Sequence, residues 1–354
     1  MKISFKKENL LKSAVALTAL LMILVFYFYT IGNKISIYNK EESLFVDISQ
    51  DSQSVVIKED SNMPLNKITG ERCNNGDKRP FFVMLAADRV ARPLSGISQA
   101  DLVFEMPVIT DGITRYMALF QCEEPNEIGS IRSSRHDFIT IAQGFDAIYA
   151  HWGGSKFALD KLKEKVINNI DALVNPHDTY FRKKTISAPH NGFTSFGRLY
   201  NTAEKLGYRL KTDFIGYPHI KAISRSNGNY EINIPYPAPY NVKFLYSSKS
   251  NEYLRFIGGF KEVDKNINKQ VAVKNLVIMK AASKQVKDQY NDLEIEDSGE
   301  AMVYRNGEVA RGIWERKSGK YYFLDSDKKE IEFAIGKIWI SIIQTNQDVF
   351  INNL

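Results

Sequence analysis

The chain reads as an α/β domain with a mixed sheet and helices, followed by a β-rich domain, behind one N-terminal transmembrane helix. Three observations predict this. An unbroken uncharged run fills 14–31. Apolar strand-like runs alternate with helix-like stretches between 65 and 234. From 235 onward, short alternating runs replace the helices. Strands that alternate with helices imply a layered α/β domain.

The first 13 residues carry Lys2, Lys6, Lys7 and Lys12 against a single Glu8. The run at 14–31 (AVALTALLMILVFYFYTI) spans ~27 Å at ~1.5 Å per helical residue, the thickness of a bilayer core. It is longer than the apolar stretch of a cleaved signal peptide. It ends in Phe26, Tyr27, Phe28 and Tyr29, a poor cleavage site and a good interfacial belt. No cysteine directly follows, which argues against a lipidated N-terminus. Positive flanks stay in the cytoplasm, so the C-terminal bulk is expected outside it. Residues 32–64 are polar and mixed in charge, and read as a tether with an r.m.s. span of about 30 Å.

In the 65–234 domain, strands are expected at 81–87 (FFVMLAA), 101–108, 113–122 and 145–151. Asp111-Gly112 is a hairpin-type turn. Helices are expected at 134–143, 155–166 and 194–206 from apolar residues at helical spacing. The stretch Pro235-Tyr-Pro-Ala-Pro239 marks the expected boundary. In the 235–354 domain, strands are expected at 242–246, 253–257, 273–279, 301–304, 310–316, 321–324 and 337–343. Asn306-Gly307 supplies a strong hairpin signal.

Composition narrows the function. The chain is 44% hydrophobic and 25% charged, with net charge +6. That is globular, and too diffusely basic to suggest nucleic acid. Cys73 and Cys122 lack metal-type spacing. A disulfide between them stays open, because sequence does not show whether their Cα atoms approach within ~7 Å.

Three loops in the first domain place cationic or imidazole groups at expected helix starts, where unpaired N–H groups attract anions. In Gly129-Ser-Ile-Arg132-Ser133-Ser134-Arg135, a serine can cap the helix. Arg132 and Arg135 offer planar forks to a carboxylate or phosphate. In His151-Trp-Gly153-Gly154-Ser155, the glycines allow close backbone approach and Ser155 can cap. In Ala188-Pro-His190-Asn191, the imidazole can bind an anion or move a proton. Arg115, on a strand, is hard to bury without a partner. The expected ligand site therefore comprises Arg115, Arg132, Ser133, Arg135, His151, Gly153, Gly154, Ser155, His190 and Asn191. His151 and His190 are the candidate catalytic groups, and Asp137 and Asp146 are candidate internal neutralisers. A structural histidine and ordinary capped helices are the plain alternatives. There is no nucleotide fingerprint, GxSxG elbow or HExxH motif. No cofactor and no clean metal-ligand cluster is expected; Asp88, Asp101 and Asp111 with His151 are the nearest approach to one.

These motifs resemble the YerB family of exported Gram-positive proteins, a two-part domain of unknown function. The matching residues are Arg92-Pro-Leu-Ser-Gly96, Gln99-Ala-Asp101, Gly112-Ile-Thr-Arg115 and Ile128-Gly-Ser-Ile-Arg132-Ser-Ser-Arg135. They continue with His151-Trp-Gly-Gly-Ser155 and Ala188-Pro-His-Asn191. In the second part, Gly307, Gly312-Ile-Trp314, Gly336 and Trp339-Ile340 also fit. The resemblance spans nearly all of 65–345 and implies an exported, membrane-held protein without an assigned activity. The chain departs from it at Ala87-Asp88 and Asp111, where the family favours Asn and Glu. It also has a transmembrane helix where the family often has a lipid anchor.

The first functional reading is a membrane-anchored extracytoplasmic module that binds an anionic cell-envelope component, a wall polymer or peptidoglycan. The second is an enzyme acting on an envelope polymer or a lipid-linked pyrophosphate precursor. The third is a structural partner of another membrane protein, using Trp314, Tyr321, Tyr322 and Trp339. The sequence does not separate the three, nor does it identify a protein partner.

Overall fold

Six consecutive apolar residues, Phe81–Ala86, form strand β1 and are buried at every position. The computed structural model describes residues 62–109, 112–174, 178–287 and 290–354. The expected transmembrane span at 14–31, its basic flank and nearly all of the 32–64 tether lie outside the described residues, as does Asp111. No helix among the described residues is long and apolar enough to cross a membrane.

After β1 come β2 (Leu102–Pro107), β3 (Thr114–Phe120), helix α1 (His136–Gln143), β4 (Ile148–His151), helix α2 (Lys156–Lys163), β5 (Asn169–Asp171) and helix α3 (Phe196–Lys205). The remainder is β: β6 (Tyr230–Ile234), β7 (Val242–Ser247), β8 (Glu252–Ile257), β9 (Asn275–Lys280), β10 (Ser283–Lys287) and β11 (Tyr290–Leu293). It continues through β12 (Ser298–Arg305), β13 (Glu308–Lys317), β14 (Lys320–Leu324), β15 (Ile338–Ile343) and β16 (Phe350–Asn353), with shorter pieces between. The protein is thus mostly β, with few helices.

Strands from both parts build one ten-stranded sheet, in the order β14-β13-β12-β9-β15-β2-β3-β1-β4-β5. β15 lies between β9 and β2 and runs parallel to both. The outer edge of β2 is therefore covered by a strand more than two hundred residues later, which leaves no open ladder there. One face of β1 and β2 (Phe82, Met84, Phe104) packs with Phe138, Ile141, Ala158 and Leu162 of α1 and α2. The opposite face (Phe81, Val83, Leu85) belongs to the same core as Leu199 and Ala203 of α3 and Ile232 and Phe244 of the second sheet. This burial from both sides is why β1 reads as an unbroken apolar run.

The second sheet runs antiparallel through β8, β7, β6 and β16. Packing continues across the expected boundary at 235: the proline-rich stretch connects β6 to β7, which pair from Ile234↔Val242 outward. Prolines suit a connection that makes no ladder hydrogen bonds. Tyr236 anchors this connection, its buried hydroxyl donating to the Ile342 carbonyl at 2.9 Å. Glu59–Leu354 accordingly forms one compact unit. The Asn306-Gly307 turn joins β12 to β13 with φ of 53° and 81°, the left-handed pair that a two-residue hairpin requires. Cys73 and Cys122 form a disulfide with Cα atoms 5.5 Å apart, tying the segment before β1 to the end of β3.

Candidate functional site

β1 and β4 run parallel in register from Phe81↔Ile148 to Val83↔Ala150. Beyond Val83, the segment 130–134 enters between them. It bonds β1 on one side, with Ala86 N donating to Ser130 O and Arg132 N donating to Met84 O. On the other side it bonds the turn after β4, through Trp152 N to Arg132 O and Ser134 N to Gly153 O. The carboxyl ends of parallel strands, where neighbours diverge, are where open α/β sheets leave a crevice. Here the chain itself fills that crevice and carries Arg132 and Arg135 into it.

β3 brings Arg115 to the same place, because antiparallel pairing sets Arg115 opposite Ala86. Its guanidinium donates to Ser133 O at 3.1 Å. Arg115 is 4% exposed. Among the described residues no ion pair joins it to a carboxylate, and its Nε has no hydrogen-bond partner. Burial, reinforced by repulsion from Arg135 and Arg132, pushes its pKa down to about 9, with Asp88 opposing. It remains cationic at neutral pH. Arg132 Nε lies 3.8 Å from Asp88 Oδ2, and Arg132 Nη1 lies 3.4 Å from Pro189 O. Arg135 covers the Tyr290 ring at 5.6 Å and is also shifted down, chiefly by burial. The His190 pKa is lowered, by burial first and then by Arg132 and Arg115, against the pull of Asp88. The structure therefore brings together Arg115, Arg132, Arg135 and His190, with Asp88 as a carboxylate beside them.

Other expected members stand apart. His151 is fully buried. Its Nδ1 bonds Gly153 O at 2.9 Å and its Nε2 approaches Asn169 Oδ1 at 3.3 Å. Flanked by the 130–134 segment and β5, it is a core histidine whose pKa is lowered by burial. Gly153 and Gly154 serve packing: a Cβ on Gly153 (φ +60°) would meet Leu173 at 2.9 Å, and one on Gly154 would meet Ser134 at 3.3 Å. Ser155 caps α2 as expected, accepting from Ala158 N. Ser133 and Ser134 do not cap α1, whose N-cap residue is Arg135 without a side-chain bond. The Ser134 hydroxyl instead accepts from Tyr149 OH at 2.9 Å. Asn191 accepts from Arg182 on the short neighbouring strand Phe181–Arg182. The expected neutralisers are engaged elsewhere, Asp137 with His136 and Asp146 with Arg79 and Arg209. Asp101 is occupied too, accepting from the Gln121 and Cys122 amides at the disulfide.

What remains is three guanidiniums and an imidazole around one carboxylate, partly desolvated. Such a group is costly in free energy unless an anion completes it. Arginine forks match the planar, multi-oxygen geometry of phosphate or carboxylate.

Two family descriptions match the chain. "Protein of unknown function (DUF3048) N-terminal domain" covers residues 68–209 and "Protein of unknown function (DUF3048) C-terminal domain" covers 232–340. YerB of Bacillus subtilis (strain 168), a candidate lipoprotein by name, is 30% identical over 273 residues, spanning 75% of this chain and 82% of YerB. The crystal structure of YerB protein from Bacillus subtilis superposes with a TM-score of 0.74 at 28% identity, covering 81% of this chain and 99% of that one.

Proposed function

The chain belongs to the two-part DUF3048 family, and on that premise we propose that its folded part binds an anionic group of a cell-envelope component through Arg115, Arg132 and Arg135. Support for an extracytoplasmic, membrane-anchored setting comes from the apolar run at 14–31 with its lysine flank, and from the lipoprotein name of the Bacillus relative. The observation that carries the reading is Arg115. A cation buried to this degree is normally paired with a carboxylate. Here the charges that act on it most are two more arginines, with Asp88 opposing them from a position 3.8 Å from Arg132 Nε. An incoming phosphate or carboxylate supplies the missing charge. His151 has no part in this reading, being fully buried in the sheet with Nδ1 2.9 Å from Gly153 O.

The full chain in detergent is titrated with poly(glycerol phosphate) and with carboxylate-bearing muropeptides at several salt concentrations. Binding that weakens with salt and falls about tenfold or more in the Arg132→Ala, Arg135→Ala double variant fits the proposal. No binding to either polymer class, or binding indifferent to that variant, counts against it.

A further inference from the structure

The start of α1 and strand β11 bring together three side chains separated by up to 156 residues. His136 Nε2 lies 3.2 Å from Asp137 Oδ1 and 3.1 Å from Asp292 Oδ1. All three ligand atoms fall within 4.8 Å of one another. Two carboxylates therefore converge on one imidazole nitrogen, which has at most a single N–H to offer. The other ring nitrogen, Nδ1, is buried and has no hydrogen-bond partner among the described residues. Asp137 is 5% exposed, and the Leu293 amide reaches its Oδ1 only at 3.5 Å.

Two lysines stand close by, and each is directed elsewhere. Lys161 Nζ donates to Thr140 Oγ1 at 2.6 Å and lies 3.9 Å from Glu296. Lys284 Nζ approaches the other oxygen of Asp292, Oδ2, at 3.6 Å. The two Oδ1 atoms facing His136 are thus poorly served by protein donors. A cation can satisfy all three groups at once. Ligand atoms held ~2.1 Å from one ion stand roughly 3.0–3.4 Å apart in octahedral or tetrahedral arrangement, and the two measured edges fall in that range.

We propose that His136, Asp137 and Asp292 form a divalent transition-metal site, suited to Zn2+ or Mn2+. The imidazole nitrogen beside two carboxylates favours transition-metal ions, Zn2+ first, over Mg2+ and Ca2+, which take all-oxygen ligand sets. The partly exposed His136 and Asp292 side chains leave an entry path and open coordination positions. The site adjoins the arginine cluster through the Arg135-His136 peptide and shares none of its side chains, so either reading can fail without the other.

Tag-free full-length protein in detergent is stripped with a chelator and titrated with Zn2+ against a chromophoric competitor. Co2+ serves as a spectroscopic probe. One ion per chain is expected, with a Co2+ absorption band typical of nitrogen and oxygen ligands. Affinity should fall about tenfold or more in Asp292→Asn and in His136→Gln, with loss of the Co2+ band, while Lys284→Ala keeps both. Circular dichroism and melting of the metal-free Asp292→Asn protein verify that it is folded, so that it is the deciding variant. Absence of stoichiometric binding, or equal affinity in Asp292→Asn and the parent, overturns the assignment.

Discussion

Arg255 and Glu105 meet inside the core, Nη2 to Oε2 at 2.6 Å, although 150 residues separate them. Each belongs to a different part of the family match. Arg255 also donates to Glu262, and its guanidinium lies over the Trp339 ring at 4.2 Å. Burial opposes its charge, but the two carboxylates more than offset this and hold it protonated. The ion triad thus joins the second sheet to the large one.

Removing only the cation leaves two buried carboxylates without compensation. Arg255→Ala is expected to cost about 3–5 kcal/mol of unfolding free energy. The triple variant Arg255→Met, Glu105→Gln, Glu262→Gln should recover much of that loss, since neutral groups of similar size carry no charge to desolvate. Urea unfolding of the full chain measures both. An Arg255→Ala protein within about 1 kcal/mol of the parent contradicts the account.

The Cys73–Cys122 bridge closes a loop over a separation of 49 residues. By loop-closure entropy, this restricts the unfolded chain by about 4 kcal/mol, and measured losses for native disulfides run about 2–5 kcal/mol. Cys73→Ser with Cys122→Ser should lower stability by that amount, and a reductant should destabilise the parent but not the double variant. Equal urea midpoints for the oxidised and reduced parent refute it.

Much of the strand and helix content was legible because local pattern encodes it. The apolar run at 81–87 announced β1, and Asn306-Gly307 announced the β12–β13 hairpin. Which strands become neighbours is not local. Nothing in the pattern of 337–343 says that β15 will insert between β9 and β2, so one sheet drawing strands from both sides of residue 235 was not legible. The site was legible in part for the same reason. Arg115, Arg132 and Arg135 signal themselves as cations beside apolar strands. His151 carried the opposite signal: it ends a strand covered on both sides, a place for a core histidine. Asp292 was beyond reach, because its partnership with His136 exists only once β11 is folded against α1.

His190 gives the anion site a pH signature. Its imidazole pKa is lowered in the free protein, by burial and then by two arginines. A bound anion offsets that repulsion and raises the pKa, so binding takes up a proton. Affinity should therefore rise as pH falls below the usual imidazole value of 6.5, and level off once the free protein is itself protonated. His190→Gln should flatten this dependence while leaving arginine-driven binding near the neutral-pH value. Titrations with poly(glycerol phosphate) between neutral and mildly acidic pH test the sign; affinity that falls with acidification overturns it.

Arg115 separates a ligand-binding cation from a structural one. In the free protein it is desolvated, faces two like charges and, among the described residues, makes one side-chain hydrogen bond, to Ser133 O. Replacing it with an apolar side chain of similar length removes that desolvation cost and the repulsion together. Arg115→Met should accordingly unfold within about 1 kcal/mol of the parent, or be more stable, because residues kept for function are seldom optimal for stability. The same variant should lose the stabilisation that ligand confers, which for a saturating anion at a hundred times its Kd is about 2.7 kcal/mol. Urea unfolding with and without poly(glycerol phosphate) reads both quantities in one series. A loss of about 3 kcal/mol or more without ligand would mark Arg115 as part of the scaffold, and the anion reading would then lose the residue on which it stands.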